Sequence, residues 1–202
     1  MANCKKIYLV RHGKIRTDGE QRSYIGQTDI PLDAAGIRQA ERMRERLAQA
    51  GVKSIYCSDL ERSRETGRIL SVNSDCPIIV RTDLREINLG EWEGLSFAEV
   101  IRRFPDKFEA RGKDIAYYRI PCGESFVDCS QRVLGAFHEI VAEGTEPVVI
   151  VGHAGVNRLI LCHLLGMPIS NLFRIAQDYA CINGIQYNGS MPQVKLLNSV
   201  AR

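Results

Sequence analysis

No apolar run in this 202-residue chain reaches the length of a membrane-crossing helix, which argues against a transmembrane segment. The opening Met1-Ala2-Asn3-Cys4-Lys5-Lys6 lacks the apolar region of a secretory leader, so the chain reads as cytoplasmic. Paired cysteines are missing as well. Cys4, Cys57, Cys76, Cys122, Cys129, Cys162 and Cys181 are odd in number and dispersed, with no Cys-x-x-Cys. Neither a zinc site nor a disulfide framework has its pattern here, and most of these residues read as small buried hydrophobes in a reducing compartment. Neither sign of charge dominates. A formal net charge of +3 is too mild to argue for a nucleic-acid partner. Internal repeats, low-complexity tracts and linkers are absent too. What remains is 45% hydrophobic, enough for one sizeable core, and the expectation is a single domain over 1–202.

Two stretches stand out against this background. Ile7-Tyr8-Leu9-Val10 has the β-branched, aromatic and aliphatic character of a buried strand, and it breaks at once into Arg11-His12-Gly13. In open α/β sheets ligands bind beyond the carboxyl ends of strands, so this triplet stands where chemistry is expected. A histidine there can act as nucleophile or base, and an adjacent guanidinium can hold a phosphate bidentately. The second run, Val148-Val149-Ile150-Val151, ends in Gly152-His153-Ala154-Gly155. Two strands that each release a histidine into a glycine-containing turn suggest two imidazoles converging on one site.

In chain order, 14–28 is polar and aperiodic, a loop over the site. Its Arg16, Arg22, Ser23 and Tyr24 are either solvated or in contact with substrate. Asp33 is a candidate N-cap for an amphipathic helix carrying Ile37, Ala40, Met43, Arg44 and Leu47 and stopping at Gly51. A short strand, Val52 to Cys57, forms a βαβ unit with the first strand. Ser58-Asp59-Leu60-Glu61 has capping-box spacing, so a second helix begins at that strand's end, with Arg62 over its anion-favouring N-terminus. Pro77 to Arg81 reads as a third strand. Glu86, Glu91 and Glu93 follow in one loop, and nothing in the residues alone chooses among them.

Residues 97–119 are charged and mixed, a helix with an irregular lid segment or a solvated excursion. Glu124 to Val141 returns to helical spacing, with His138 an ordinary helix residue. An apolar helix runs from Val156 to Leu165 and contains His163. Cys181 to Tyr187 and Val194 to Leu197 read as a closing hairpin. Together these elements make an α/β domain, a three-layer α/β/α sandwich with a mainly parallel central sheet.

The ordered motifs resemble the histidine phosphatase superfamily, the phosphoglycerate-mutase-like group, from about Lys6 to about Leu197. The resemblance rests on Arg11-His12-Gly13, Gly26-Gln27-Thr28-Asp29-Ile30-Pro31-Leu32, Ser58-Asp59-Leu60-Glu61-Arg62-Ser63, Leu84-Arg85-Glu86 with Gly90-Glu91-Trp92-Glu93-Gly94, Gly123-Glu124-Ser125 and Gly152-His153. It implies a phosphoglycerate-mutase-like fold and catalysis by His12, Glu86, Arg11, Arg62 and His153. It also implies substrate contacts from Arg11, Gly13, Gly26, Arg62, His153 and Ala154. Many members carry Asn five residues after the signature glycine. This chain has Asp18 there, whose charge would repel phosphate, so that role is not carried over.

Under this reading His12, neutral on its attacking nitrogen, becomes a phosphohistidine. Arg11 and Arg62 neutralise charge, and His153 donates a hydrogen bond, most strongly as imidazolium. Glu86 protonates the leaving oxygen and then activates water. The acceptor that fixes the His12 tautomer is not readable. Two arginines aimed at one spot oppose a cation, and no His-x-x-x-His or carboxylate cluster supports a metal, so no metal or other cofactor is expected.

Mutases resembling the chain carry a Tyr-Gly-x-Leu-x-Gly-Leu-Asn-Lys-type segment where this chain has Asn88 to Gly94, which favours a phosphatase. Size and the 26–32 segment look most like α-ribazole-phosphate phosphatases, which would place the chain in cobalamin biosynthesis. The alternatives are a phosphoglycerate mutase and a non-catalytic module that only binds a phosphorylated ligand. The partner is a small phosphomonoester, with no nucleic acid and no membrane. The oligomeric state is open, a homodimer being one option.

Overall fold

The computed structural model describes residues 4–17, 23–143, 146–189 and 191–200. Asp18 and Arg22, which the sequence raised as loop residues, lie outside them. The strands are β1 (Cys4–Arg11), β2 (Ser54–Cys57), β3 (Ile78–Val80), β4 (Val148–Gly152), β5 (Ile182–Asn188) and β6 (Met191–Ser199). The helices are α1 (Ala34–Leu47), α2 (Glu61–Ser71), α3 (Phe97–Arg103), α4 (Pro105–Lys113), α5 (Phe126–Glu143) and α6 (Ala154–Leu164).

One six-stranded sheet has the order β3-β2-β4-β1-β5-β6. Its first four members are mutually parallel, and β5 and β6 close it as the antiparallel hairpin the sequence suggested. β1 and β2 are parallel and joined through α1, the βαβ unit expected, but they are not neighbours, because β4 inserts between them. This insertion builds the site. From β1 the chain leaves through α1 toward β2, whereas from β4 it leaves through α6 toward β5. The two central strands therefore part in opposite directions, the topology that opens a crevice at their carboxyl ends.

β4 is buried throughout, and Ile7, Leu9 and Val10 of β1 are buried with it. One core cluster joins Ile7, Leu9 and Ile150 to Phe137 of α5 and Leu159 of α6. The other joins Val10, Val149 and Val151 to Met43 and Leu47 of α1 and Leu70 of α2. The helix pairs thus cover opposite faces of the sheet, the three layers expected.

Two helix starts differ in detail. Asp33 caps α1 as anticipated, accepting from the Gly36 amide at 2.7 Å, but the buried stripe is Gly36, Ala40, Met43 and Leu47, with Ile37 at its exposed margin. The box at Ser58 to Glu61 does not form. Leu60 occupies the N-cap of α2 without a side-chain bond, and the Glu61 amide is capped by Asp29, from the loop between β1 and α1, at 2.7 Å. A capping box does form at α3, between Ser96 and Glu99. The single helix considered for 97–119 is two, divided at Phe104-Pro105. Proline has no amide to continue the ladder, and it opens α4 instead.

Candidate active site

Register brings the two histidine motifs together. Arg11 pairs with Gly152, so His12 and His153 are each the next residue beyond adjacent parallel strands. Their ring centroids are 5.0 Å apart. Cys57 pairs with Val151, which places Ser58 beside them on the third strand end.

His12 is buried at 4% exposure. Its Nδ1–H donates to the Gly13 carbonyl at 2.7 Å, which supplies the tautomer anchor the sequence could not identify and leaves Nε2 as a bare lone pair. Burial, then the charges of Arg11 and Arg62, hold its pKa well below the usual value, so the ring is neutral and nucleophilic at neutral pH.

Arg62 is almost wholly buried. Its Nε donates to His153 Nδ1 at 3.3 Å, Nη1 to the Thr28 carbonyl at 2.8 Å and Nη2 to the Gly26 carbonyl. All three acceptors are neutral. Among the described residues it forms no ion pair, although Glu86, Asp29 and Glu93 act on it at longer range. A buried cation held only by neutral acceptors is a site waiting for an anion. Arg11 is similar. Its Nη1 donates to the Gln177 carbonyl at 2.7 Å, its guanidinium lies 3.8 Å from the Tyr179 ring centroid, and its buried Nε has no partner among the described residues.

His153 is 1% exposed, and burial followed by the Arg62 charge holds its pKa well below the usual value, so the ring is neutral and not the imidazolium that would donate most strongly. Because Nδ1 accepts from Arg62, Nε2 carries the proton and donates to Ser58 Oγ at 2.8 Å.

The three loop carboxylates separate cleanly. Glu86 accepts from the amides of Gly155 at 2.9 Å, Val156 at 3.3 Å and Ile87 at 3.0 Å, which seats it on the N-terminus of α6. Gly155 leaves room for that carboxyl, because a Cβ would lie 2.5 Å from Glu86 Oε1 and displace it. Arg132 of α5 braces the same loop by donating to the carbonyls of Asp83, Arg85 and Glu86 while pairing with Glu124 at 2.8 Å. Glu93 instead accepts from the amides of Gly26, Gln27 and Thr28, folding the turn whose carbonyls hold Arg62. Glu91 is exposed and pairs with Lys107.

A cavity of about 660 Å³ is lined by Arg11, His12, Arg62, Glu86, Ala154 and Tyr179 among others. Gly13, Gly26 and His153 do not line it. The Gly13 amide donates to Thr66 Oγ1, the Gly26 amide to Glu93, and a Cβ at either glycine would meet a backbone oxygen at 2.3 Å. Sequence reasoning missed Gln177, Tyr179, Ser58 and Thr66. Ser58 could have been found from its position at a third strand end, whereas the others carry no local signal. Among the described residues, no group of three or more His, Cys, Asp or Glu could hold a metal ion.

The model of the histidine phosphatase superfamily (branch 1) matches residues 7–200. The chain belongs to that superfamily. The adenosylcobalamin/alpha-ribazole phosphatase of Escherichia coli (strain K12) is 27% identical over 201 residues, covering 97% of each chain. The glucosyl-3-phosphoglycerate phosphatase of Mycolicibacterium vanbaalenii is 34% identical over 175 residues, covering 83% of this chain and 77% of the other. Among solved structures, the alpha-ribazole phosphatase from Shigella flexneri superposes with a TM-score of 0.84 at 28% identity, covering 96% of each chain. As a histidine phosphatase, the chain therefore presents its Arg-His-Gly motif in the sheet architecture of these relatives.

Proposed function

We propose that the chain is a metal-independent phosphomonoesterase that works through a phosphohistidine at His12. The observation that carries the reading is the bare Nε2 of a neutral, buried His12 in a cavity shared with two guanidiniums that form no ion pair among the described residues. His12 Nε2 attacks phosphorus, the bond from phosphorus to the ester oxygen breaks, and Glu86 in its protonated form delivers its proton to that oxygen. Water then attacks phosphorus, the phosphorus–nitrogen bond breaks, Glu86 takes the water proton, and inorganic phosphate leaves. Three backbone amides occupy lone pairs on the Glu86 carboxyl, so the proton travels on a remaining one.

Arg11 and Arg62 neutralise the phosphoryl oxygens. Three of the five Arg62 N–H groups are committed to protein, and the other two remain for substrate. A single well-placed arginine contributes about 10³–10⁵ in rate in other phosphoryl transfers. His153 holds the Arg62 fork in plane, and Ala154 lines the wall beside Glu86.

A second chamber adjoining Glu86 is walled by phenylalanines, which suits a bulky, ring-bearing leaving group. The names of the relatives make α-ribazole 5′-phosphate the first substrate to test. We read 1–202 as one domain acting on small molecules. Cys57, Cys76, Cys122, Cys129, Cys162 and Cys181 are free, which supports a cytoplasmic setting, and none of the described helices is long and apolar enough to cross a membrane. The test is release of phosphate from a panel of phosphorylated metabolites that includes α-ribazole 5′-phosphate and 3-phosphoglycerate. Conversion of 3-phosphoglycerate to its isomer without net phosphate release would replace this reading with a mutase.

A further inference from the structure

Next to the phosphate cavity lies a chamber of about 410 Å³. The two share Ser23, Ile25, Glu86, Phe97 and Ala154, so they are contiguous, and the proposed acid stands on their common wall. The chamber is therefore within reach of a group bonded to a phosphoryl group held in that cavity. Its walls include Phe97, Phe108, Phe126 and Phe173, and two guanidiniums also face it, Arg111 of α4 and Arg158 of α6. Phe126 and Phe173 meet edge to face at 5.8 Å, and each carries one of the cations, Arg111 over Phe126 and Arg158 over Phe173, both at 5.5 Å.

The two arginines are not equivalent. Arg158 is anchored, donating to the Ile175 carbonyl at 2.8 Å and to the Ala154 carbonyl at 3.4 Å. Arg111 makes no hydrogen bond or ion pair among the described residues. It is held by the faces of Tyr24, Trp92 and Phe126 at 5.5–5.9 Å, and no carboxylate among the described residues opposes its burial. Aromatic faces orient a guanidinium and leave its N–H edge free, which is the edge that grips a carboxylate in a two-pronged bond. An apolar chamber with uncommitted positive charge therefore suits an alcohol that is both ring-bearing and acidic.

We propose that this chamber is a leaving-group subsite for phosphomonoesters whose alcohol carries a ring and a carboxylate, with Arg111 as the residue that selects the carboxylate. The inference rests on the phosphatase reading and deepens it. It ranks acidic esters above neutral esters of the same shape.

The probes are 3-(4-phosphonooxyphenyl)propanoate and its amide. They share the phenolic leaving oxygen and differ only at the remote acid. For the wild-type chain kcat/KM should favour the acid by about ten- to a hundredfold, the size of one charge-assisted hydrogen bond in a poorly solvated site. Arg111→Met should erase the advantage of the acid over the amide, bringing the ratio of their kcat/KM values to about one, and Arg111→Lys should restore part of the preference. Arg111→Gln serves if the methionine variant does not fold. Equal turnover of the two probes by the wild-type chain would overturn the proposal, and so would a variant that slows both alike. Failure of the underlying reading looks different: no phosphate would be released from either probe or from p-nitrophenyl phosphate, and both ideas would fall.

Discussion

At the scale of single residues, a histidine, two arginines and a glutamate have been sorted into roles by what else they touch. Glu86 is the most exposed to test. If it protonates the leaving oxygen, its worth depends on how poorly that oxygen leaves as an anion. Glu86→Gln should slow alkyl phosphates by about 10²–10⁴-fold, the usual contribution of general acid catalysis, and p-nitrophenyl phosphate much less. The aryl substrate should also show a burst of p-nitrophenol, because the same residue activates the resolving water. Equal losses on both substrates without a burst would mean a structural role.

His12, Arg11, Arg62 and His153 can each be singled out in the sequence, since each sits at a strand end or helix start with chemistry its neighbours do not explain. The choice of Glu86 over Glu91 and Glu93 was not legible without the family resemblance. Three carboxylates within eight residues differ only in what lies across from them: the α6 amides, a lysine and the 26–28 turn. The charge of His153 was not legible for a related reason. The sequence shows a histidine beside phosphate-binding groups but not its burial against Arg62, which decides the protonation state.

At the scale of elements, the N-terminus of α6 is the part that holds Glu86, the proposed acid. Gly155 is its second residue, and a methyl group there would have to displace the Glu86 carboxyl. Gly155→Ala should therefore reproduce the substrate signature of Glu86→Gln, a larger defect on alkyl than on aryl esters, with far-ultraviolet circular dichroism unchanged. A uniform defect would place the damage elsewhere. Arg132 should report on stability instead. Arg132→Met leaves Glu124 and three backbone carbonyls short of a donor in a half-buried setting, which should cost about 2–4 kcal/mol by urea denaturation. A loss below about 1 kcal/mol, the range of an exposed pair, would show that the brace is not needed.

Helix and strand positions were largely readable from periodicity, and their ends less so. The cap of α2 went to Asp29, a residue 32 positions earlier, because Asp59 is engaged by Arg85 and Ser58 by His153. Local spacing cannot reveal a competitor that arrives through the fold.

At the scale of the whole molecule, the α/β/α layering and the mainly parallel sheet followed from alternating strand and helix patterns. The insertion of β4 between β1 and β2 did not, since pairing across so long an interval leaves no local trace. Two buried neutral histidines at the sheet's centre have a global consequence. His12 and His153 both have folded pKa values depressed below the usual 6.5, so on acidification the unfolded chain binds protons that the folded chain refuses. Their contribution is fully present above about pH 6.5 and is lost as pH falls below it, by up to about 1.4 kcal/mol per pH unit for each histidine. The depressed carboxyls of Asp59, Asp83, Glu124 and Asp128 add losses of the same sign at lower pH. Urea midpoints taken from about pH 7.5 down to about pH 5 should fall, and fall less steeply in His12→Gln. A level or rising midpoint would contradict the neutral assignment.

Everything above converges on one nitrogen, His12 Nε2, which the Gly13 carbonyl leaves unprotonated. The most direct measurement is to mix the protein with phosphate-labelled substrate, quench within a turnover at alkaline pH where phosphohistidine survives, and map the label by peptide sequencing. The label should lie on the peptide carrying Arg11-His12-Gly13 and be absent from His12→Asn. Label on another residue, or undiminished turnover by His12→Asn, would contradict the account.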